Sequence, residues 1–411
     1  MSRLSATKRI PKYLLKRGVF LIAVIIVIIS NTFLFCKLRD IDFPFVLFNR
    51  IGYTINGENK VFDEHTIYNY FQSKPIELTE KEKRIKQIVL SRECEYVDLV
   101  YTWVNGSDPK HIDSHKKTRM SLQADDISVN RYIPSSFRDL NTLKYSLRSV
   151  RQYAPWIKNI FIITANQIPT WFDIENSENV RFISHSDYFH KKSDLPTFNS
   201  NSIESNFWNL PIEVSNCFLY LNDDIFFSRP VKQSDYFDEN KNFRQSVFLT
   251  EYLMGRKAYF LDLYDQYSKA ILFSNRALAS IWGQDRKRSI PAHGIQVFNR
   301  KIWYKMQEEF GAGLEITSSN KFRNITDFQI SHLYIQFALR YSKPIIGSDD
   351  VLYIQLNNEN FDEKLEILKN SRDETNSICL NDGLEFINDD LQKKSDDTFN
   401  FLFPIKSNFE K

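Results

Sequence analysis

The stretch Glu95-Tyr-Val-Asp-Leu-Val-Tyr-Thr-Trp-Val104, followed at once by Asn105-Gly-Ser-Asp-Pro109, decides the fold class. It is strongly apolar and β-prone, as a buried strand must be, and no helix continues through the turn that closes it. Downstream, Leu140, Leu143, Leu147 and Val150 recur at helical spacing and stop before Pro155; Ile160–Thr164 is then a second apolar strand, completing a β-α-β unit. A third strand is expected at Val180–Ser184. A helix from about Ser200 to Asn209 would bury Ile203 and Phe207, and a fourth strand at Phe218–Leu221 would end in Asn222-Asp223-Asp224. Asn299 caps a helix through Phe310, and Thr326 with Gln329 forms a capping-box pair opening another through about Arg340. Strands alternating with helices predict an α/β, Rossmann-like body, a largely parallel sheet with helices on both faces.

Outward from this body, the N-terminus is of a different kind. Gly18–Cys36 reads GVFLIAVIIVIISNTFLFC, just long enough to span a bilayer as one helix. Six basic residues precede it, which by the positive-inside rule keeps residues 1–17 in the cytosol and sends the rest across. The apolar run continues past Ser30 and no small-x-small cleavage site follows, so it reads as an anchor rather than a cleaved signal peptide. Residues 37–95 read as a stem, 96–411 as the catalytic domain, and 231–288 as a variable insertion. The chain has 411 residues with 54 basic and 51 acidic side chains, and eight of the basic ones lie in the first 39 residues, where there is no acid. The remaining body is mildly acidic and has no basic stripe, which argues against nucleic acid as a partner.

Of the four cysteines, Cys36 ends the anchor. Cys94 and Cys379 flank the catalytic body and are the preferred disulfide pair, whereas Cys217 opens an apolar run and is expected as a buried free thiol. The apolar cluster Phe401-Leu-Phe-Pro-Ile405 is expected to dock on the core.

Ligands of open parallel sheets bind at the carboxyl ends of strands. The two most polar strand ends are Asn105–Asp108 and Asn222–Asp224, and they should face each other across one cleft. Paired carboxylates there can hold a divalent metal, or one can take a proton from an attacking hydroxyl. Adjacent side chains on an extended segment point to opposite faces, so Asp223 and Asp224 should divide these roles. His293 lies in a Pro-Ala-His-Gly loop away from any helix stripe. Arg323 just before a capped helix suits an anion, and Arg138-Asp139 reads as a capping pair.

The run Tyr101-Thr-Trp-Val-Asn-Gly-Ser-Asp-Pro109 resembles the first signature region of the Stealth family, hexose-1-phosphate transferases that include the α/β precursor of lysosomal-enzyme GlcNAc-1-phosphotransferase and microbial capsule enzymes. Phe137-Arg-Asp139, Lys144–Ser149, Gln167–Trp171, Leu195–Ser200, Ile203-Glu-Ser205 and Tyr220–Asp224 resemble the second. Pro291-Ala-His293 through Lys321-Phe-Arg323 is similar to the third, and Cys379-Leu-Asn-Asp-Gly383 with Phe403-Pro-Ile405 to the fourth. The resemblance implies transfer of a sugar-1-phosphate from a UDP-sugar donor to a glycan acceptor, with UMP released. It carries the family's essential aspartate pair onto Asp223 and Asp224, its histidine onto His293 and its phosphate-binding arginine onto Arg323. Trp103, Asn105, Gly106, Asp108, Arg138, Asp139 and Asn222 are the expected substrate contacts, and Mg or Mn on Asp223 and Asp224 the expected cofactor. Gln296 and Asn320 stand where the family's lysosomal member has further histidines. Either Asp224 or His293 would take the hydroxyl proton, with Asp224 preferred. A lumenal user of UDP-sugars implies the Golgi membrane, with one N-terminal helix as the membrane contact. The alternatives are a glycosyltransferase that releases UDP, and an inactive membrane-anchored glycan-binding relative.

Overall fold

A computed structural model describes residues 74–122 and 137–411, apart from 242, 256–264, 285, 325, 349 and 372. The anchor expected at 18–36, the tail before it and the stem up to residue 73 lie outside the described residues. Among those described, no helix is long and apolar enough to cross a membrane. The described residues from 74 to 255 and from 266 to 411 fall within one compact unit.

The opening stretch forms β1 (Val97–Thr102), buried along nearly its whole length, and the next two strands, β2 (Ile160–Thr164) and β3 (Val180–Ser184), have the expected bounds. β4 (Cys217–Asn222) and β9 (Gln296–Asn299) complete a sheet in the order β3-β2-β1-β4-β9, in which the first four strands are parallel and β9 is antiparallel. Alternate residues of β1 enter different cores. Val97, Leu99 and Tyr101 meet Leu143, Leu147 and Val150 of the helix Thr142–Tyr153 (α3), while Val100 packs on the side of Phe207, Trp303 and Leu333. Both faces are therefore apolar and both are covered by helices, as the unbroken apolar strands required.

On the second face lie α1 (Glu80–Ser91), α6 (Arg300–Ser319) and α7 (Ile330–Tyr341), with α5 (Gln266–Trp282) adding Phe273, Ala277 and Leu278. Before them in the chain, α2 (Pro109–Ser121) is started by Pro109 and by Asp108, whose Oδ1 accepts from Lys110 N at 2.8 Å. The stem reading fails for residues 74–95: Ile76, Ile85 and Val89 are buried in this core, and Thr79 and Glu82 form a capping box that starts α1. The helix expected over 200–209 is a short α4 (Ser200–Glu204) followed by a separate 3₁₀ turn at Phe207–Asn209. α6 runs past Phe310, which has non-helical φ and ψ, to Ser319; α7 is capped by Gln329, not Thr326, through a bond from His332 N to Oε1.

Within 231–288, β6 (Phe237–Asp238), β7 (Arg244–Met254) and α5 contribute buried residues to the two cores, so this expected insertion is built into the body. β7 pairs with β8 (Arg288–Pro291) and β10 (Ile345–Ser348). A third sheet, β11-β12-β5, is the one that shapes the site. β5 (Ile225–Phe227) follows β4 after Asp223 and Asp224, pairs antiparallel with β12 (Ser377–Asp382), and β12 pairs parallel with β11 (Val351–Leu356). α8 (Phe361–Ser371) and α9 (Asp389–Leu402) cover it with Leu365, Leu368 and Phe399. The closing cluster docks only in part: Leu402 and Phe403 are buried here, while Phe401 and Ile405 face solvent.

The disulfide expectation is corrected. Cys94 bonds Cys217, and among the described residues Cys379 is the free, buried thiol. β1 and β4 are parallel neighbours with Val97 opposite Cys217, so the residue just before β1 necessarily arrives beside the start of β4.

Candidate active site at the end of the fourth strand

Strand order turns around at β1: β2 lies on one side of it and β4 on the other. The crevice outside the carboxyl ends of β1 and β4 is therefore the switch point of the sheet, where ligands of such sheets bind. Thr102 and Asn222 end these strands opposite each other, and Thr102 Oγ1 donates to Asn222 Oδ1 at 3.1 Å.

A cleft opens here, and its walls include Glu204, Asn222, Tyr267, His293, Gln296 and Arg323. His293 arrives on the loop between β8 and β9, strands of two different sheets. Gln296 Nε2 braces that loop by donating to the carbonyls of Ala292 at 2.8 Å and Gly294 at 3.1 Å. Gly294 is required there, since a Cβ would come within 2.3 Å of Val351. The His293 ring is exposed at its outer edge but crowded by Tyr267, Tyr353 and Cys379, with ring centroids 5.9 and 5.4 Å from the two tyrosines. Loss of water, then the Arg323 charge, lowers its pKa and favours the neutral ring.

Arg323 stands on a loop held from behind by the segment 197–199. Phe198 N donates to Lys321 O at 2.7 Å, and the Phe198 and Phe322 rings stack. Asn199 Nδ2 reaches the carbonyls of Asn320 and Phe322 and the Asp327 carboxylate. Asn320 in turn donates to Asp327 at 2.6 Å, so it is part of the loop's frame. The guanidinium is exposed at the cleft, with one bond to Ser200 Oγ at 3.1 Å.

The aspartates diverge. Asp223 Oδ2 accepts from Thr142 Oγ1 at 3.0 Å, and its pKa is raised far above the carboxylate range by burial, then by the Asp224 and Asp139 charges. Asp224 turns the other way, toward Cys379, whose Sγ is 3.9 Å from Oδ2. Burial pushes Asp224 up to about 6, against backbone hydrogen bonding that opposes the rise, and Oδ1 is buried with no hydrogen-bond partner. As a fit for Mg or Mn, two carboxylates that point apart do not converge on one ion. Among the described residues no three His, Cys, Asp or Glu side chains are gathered as a cation shell. As oriented, the pair does not fit a shared metal.

Of the other expected contacts, the cleft takes in Asn222. Asn105 and Asp108 are used inside their own loop: Gln167 accepts from Asn105 N at 3.0 Å and donates to Asp108 Oδ2 at 3.0 Å. Gly106 lies so close to the Phe137 backbone that a Cβ would come within 2.2 Å of its carbonyl oxygen. Trp103 Nε1 donates to Asp139 at 3.2 Å, and Asp139 takes backbone bonds from Asn141 and Thr142 at the start of α3. Arg138 is no cap. It pairs with Asp382 at 3.1 Å and binds Leu384 O.

Glu204 is the residue that residue-by-residue reading missed. It is buried on the cleft wall, accepts from Tyr220 OH at 3.1 Å, leaves Oε2 without a partner, and is raised to about 7 by burial. Its signal was a charge amid the polar run Asn199–Asn206, next to a strand end that already carried two acids.

Three family models match the chain: Stealth protein conserved region 1 over residues 95–123, conserved region 2 over 136–245 and conserved region 3 over 292–340. An exopolysaccharide phosphotransferase of Streptomyces coelicolor is 31% identical over 319 residues, 77% of this chain and 57% of the relative. A capsular polysaccharide phosphotransferase of Haemophilus influenzae is 30% identical over 291 residues, 70% of this chain and 78% of the relative. The chain belongs to the Stealth family. It spans little more than half the length of the Streptomyces relative. Among solved structures, mouse xyloside xylosyltransferase 1 aligns over 69% of this chain and 96% of its own, at 10% identity and a TM-score of 0.33, a likeness too slight to argue from.

Proposed function

We propose that the protein is a sugar-1-phosphate transferase that moves a hexose-1-phosphate, or a related sugar phosphate, from a UDP-sugar to a hydroxyl of an acceptor glycan and releases UMP. The observation that carries this reading is the gathering of Glu204, His293 and Arg323 on the walls of one cleft, with Asp224 behind His293 across the Cys379 sulfur, from segments that the second and third Stealth regions cover. Relatives named as polysaccharide phosphotransferases support the reaction class.

In this mechanism the acceptor oxygen bonds to the β-phosphorus while the bond from that phosphorus to the α–β bridging oxygen breaks, and UMP leaves with the electron pair. Phosphoryl transfer asks a protein chiefly for positioning and charge stabilisation. Arg323 supplies the charge, held toward the cleft by the frame of Asn199 and Asp327. Asp224 takes the hydroxyl proton on its unpartnered Oδ1; a carboxyl near 6 is ionised at neutral pH yet more basic than an ordinary one. Neutral His293 contacts a phosphoryl oxygen. Glu204 offers its open Oε2 to a sugar hydroxyl.

The same reading sets the body in the Golgi lumen behind one N-terminal anchor. The basic-flanked apolar run at 18–36 supports it, and a Cys94–Cys217 disulfide suits an oxidising compartment. The test is to incubate the full chain with a panel of UDP-sugars and acceptor glycans and separate the nucleotides. UMP in step with acceptor modification is expected. UDP would make the protein a glycosyltransferase, and glycan binding with neither nucleotide would make it an inactive relative.

A further inference from the structure

The free thiol of the described body stands beside the reacting groups, not in a remote core. β12 pairs with β5 so that Cys379 lies opposite Ile225, and Leu380 N donates to Asp224 O at 3.0 Å; this register delivers the thiol next to Asp224. Its Sγ is then 3.4 Å from Nδ1 of His293 and 3.9 Å from Oδ2 of Asp224. Cys379 is fully buried, and burial followed by the Asp224 charge holds its pKa well above the ordinary thiol value, so it keeps its one proton. That proton has two candidate acceptors. The contact with Nδ1 is of normal length for a sulfur donor, while 3.9 Å is at its far limit; sulfur is also a poor acceptor, which disfavours the reverse bond from the ring.

We propose that Cys379 is a positioning residue for the transfer: its thiol donates to Nδ1 of His293 and so fixes the neutral ring as the tautomer that carries its proton on Nε2, the nitrogen away from the thiol. The catalytic part of this statement rests on the phosphotransfer reading; the tautomer does not. A histidine whose Nδ1 accepts a bond can only donate from Nε2, which is what contact with a phosphoryl oxygen needs. Tyr267 and Tyr353 flank the ring, and Arg323 faces it from its own loop. The thiol also lies beside Asp224 without bonding Oδ1, which is buried and has no hydrogen-bond partner.

Cys379→Ser and Cys379→Ala test this, because serine and alanine vacate nearly the same volume and only serine keeps a proton to give. Cys379→Ser is expected to hold kcat within about threefold of the parent, and Cys379→Ala to lose about tenfold or more, the scale of one hydrogen bond, at unchanged donor KM. A second readout needs no turnover. Diethyl pyrocarbonate attacks an unprotonated ring nitrogen, so with the lone pair on the shielded Nδ1 the modification of His293, followed by peptide mass spectrometry, should be slow in the parent and the serine variant and several-fold faster in the alanine variant. Equal kcat in the two variants, or His293 modified as fast in the parent as in Cys379→Ala, would overturn the proposal. The slow, slow, fast pattern in a chain that transfers no sugar phosphate would uphold the tautomer and overturn the transfer reading.

Discussion

Asp223 and Asp224 are neighbours in the chain with opposite surroundings: Asp223 accepts a 3.0 Å bond from Thr142, while Asp224 lies 3.9 Å from the Cys379 sulfur. The two residues form the turn that links β4 of one sheet to β5 of another, and that turn gives each side chain its own set of neighbours. Burial raises the Asp223 pKa well above the ordinary carboxylate value, and Asp223→Asn retains an acceptor for the Thr142 hydroxyl. We expect that variant to transfer within about tenfold of the parent, and Asp224→Asn to lose about a hundredfold or more, the range for a general base. Steady-state rates of the two purified variants decide it; equal losses would return both residues to one role.

The pH profile follows from the same carboxylate. Asp224 is raised to about 6, and on the proposed mechanism its ionised form takes the proton, so kcat/KM should be level above that pH and fall as pH drops through it, about tenfold per unit. Glu204, raised to about 7, ionises nearby, and Glu204→Gln separates the two. The acid limb near 6 should survive in that variant. Its disappearance would assign the base to Glu204.

The parts of this arrangement visible in the sequence are those that local chemistry decides. β2 and β3 have their expected bounds because Ile160–Thr164 is an apolar run between polar residues and Val180–Ser184 ends at Ser184, which caps the helical turn that follows. Asn222–Asp224 could be found because it ends an apolar strand, and the family resemblance supplied His293 and Arg323. What the sequence hides is pairing between distant strands. Cys379 meets Asp224 only because β12 joins β5, and Cys94 meets Cys217 only because β4 lies beside β1. Periodicity carries neither fact, so the thiol and the disulfide partner were exchanged in the reading from sequence. For Asn105 and Asp108 the sequence could not show the use inside their own loop: a polar strand end can bind a ligand or bind itself, and here Gln167 bonds both.

At Arg323 the exposed guanidinium has one bond of its own, to Ser200, and on the proposed reading its remaining donors meet the donor phosphates. Arg323→Ala should lower kcat about a hundredfold or more, because the charge it stabilises develops during transfer. Arg323→Lys should recover little, since it loses the planar fork. Full kinetics of both variants check this; a rise in donor KM alone would limit Arg323 to ground-state binding.

Asn324-Ile-Thr326 beside it is a glycosylation sequon, yet Asn324 Oδ1 is engaged by both the backbone N and the hydroxyl of Thr326, each at 3.0 Å. We expect the site to carry no glycan in active protein. Intact-mass and peptide mapping after expression in a secretory host would detect one.

The Cys94–Cys217 bond closes a sequence separation of 123 residues. Chain-entropy estimates give such a crosslink about 5 kcal/mol. Non-reducing peptide mapping should recover the Cys94–Cys217 peptide and find Cys379 as a thiol, and Cys217→Ser should lower the thermal midpoint. A Cys94–Cys379 peptide would contradict the β1–β4 geometry.

The central claim is that the bond broken lies between the two phosphates, not between the sugar and its phosphate. A UDP-sugar labelled with ³²P at the β-phosphate separates these directly. The account predicts that the label moves into the acceptor glycan while unlabelled UMP is released. Label left in UDP, with the acceptor gaining sugar but no phosphorus, would contradict it.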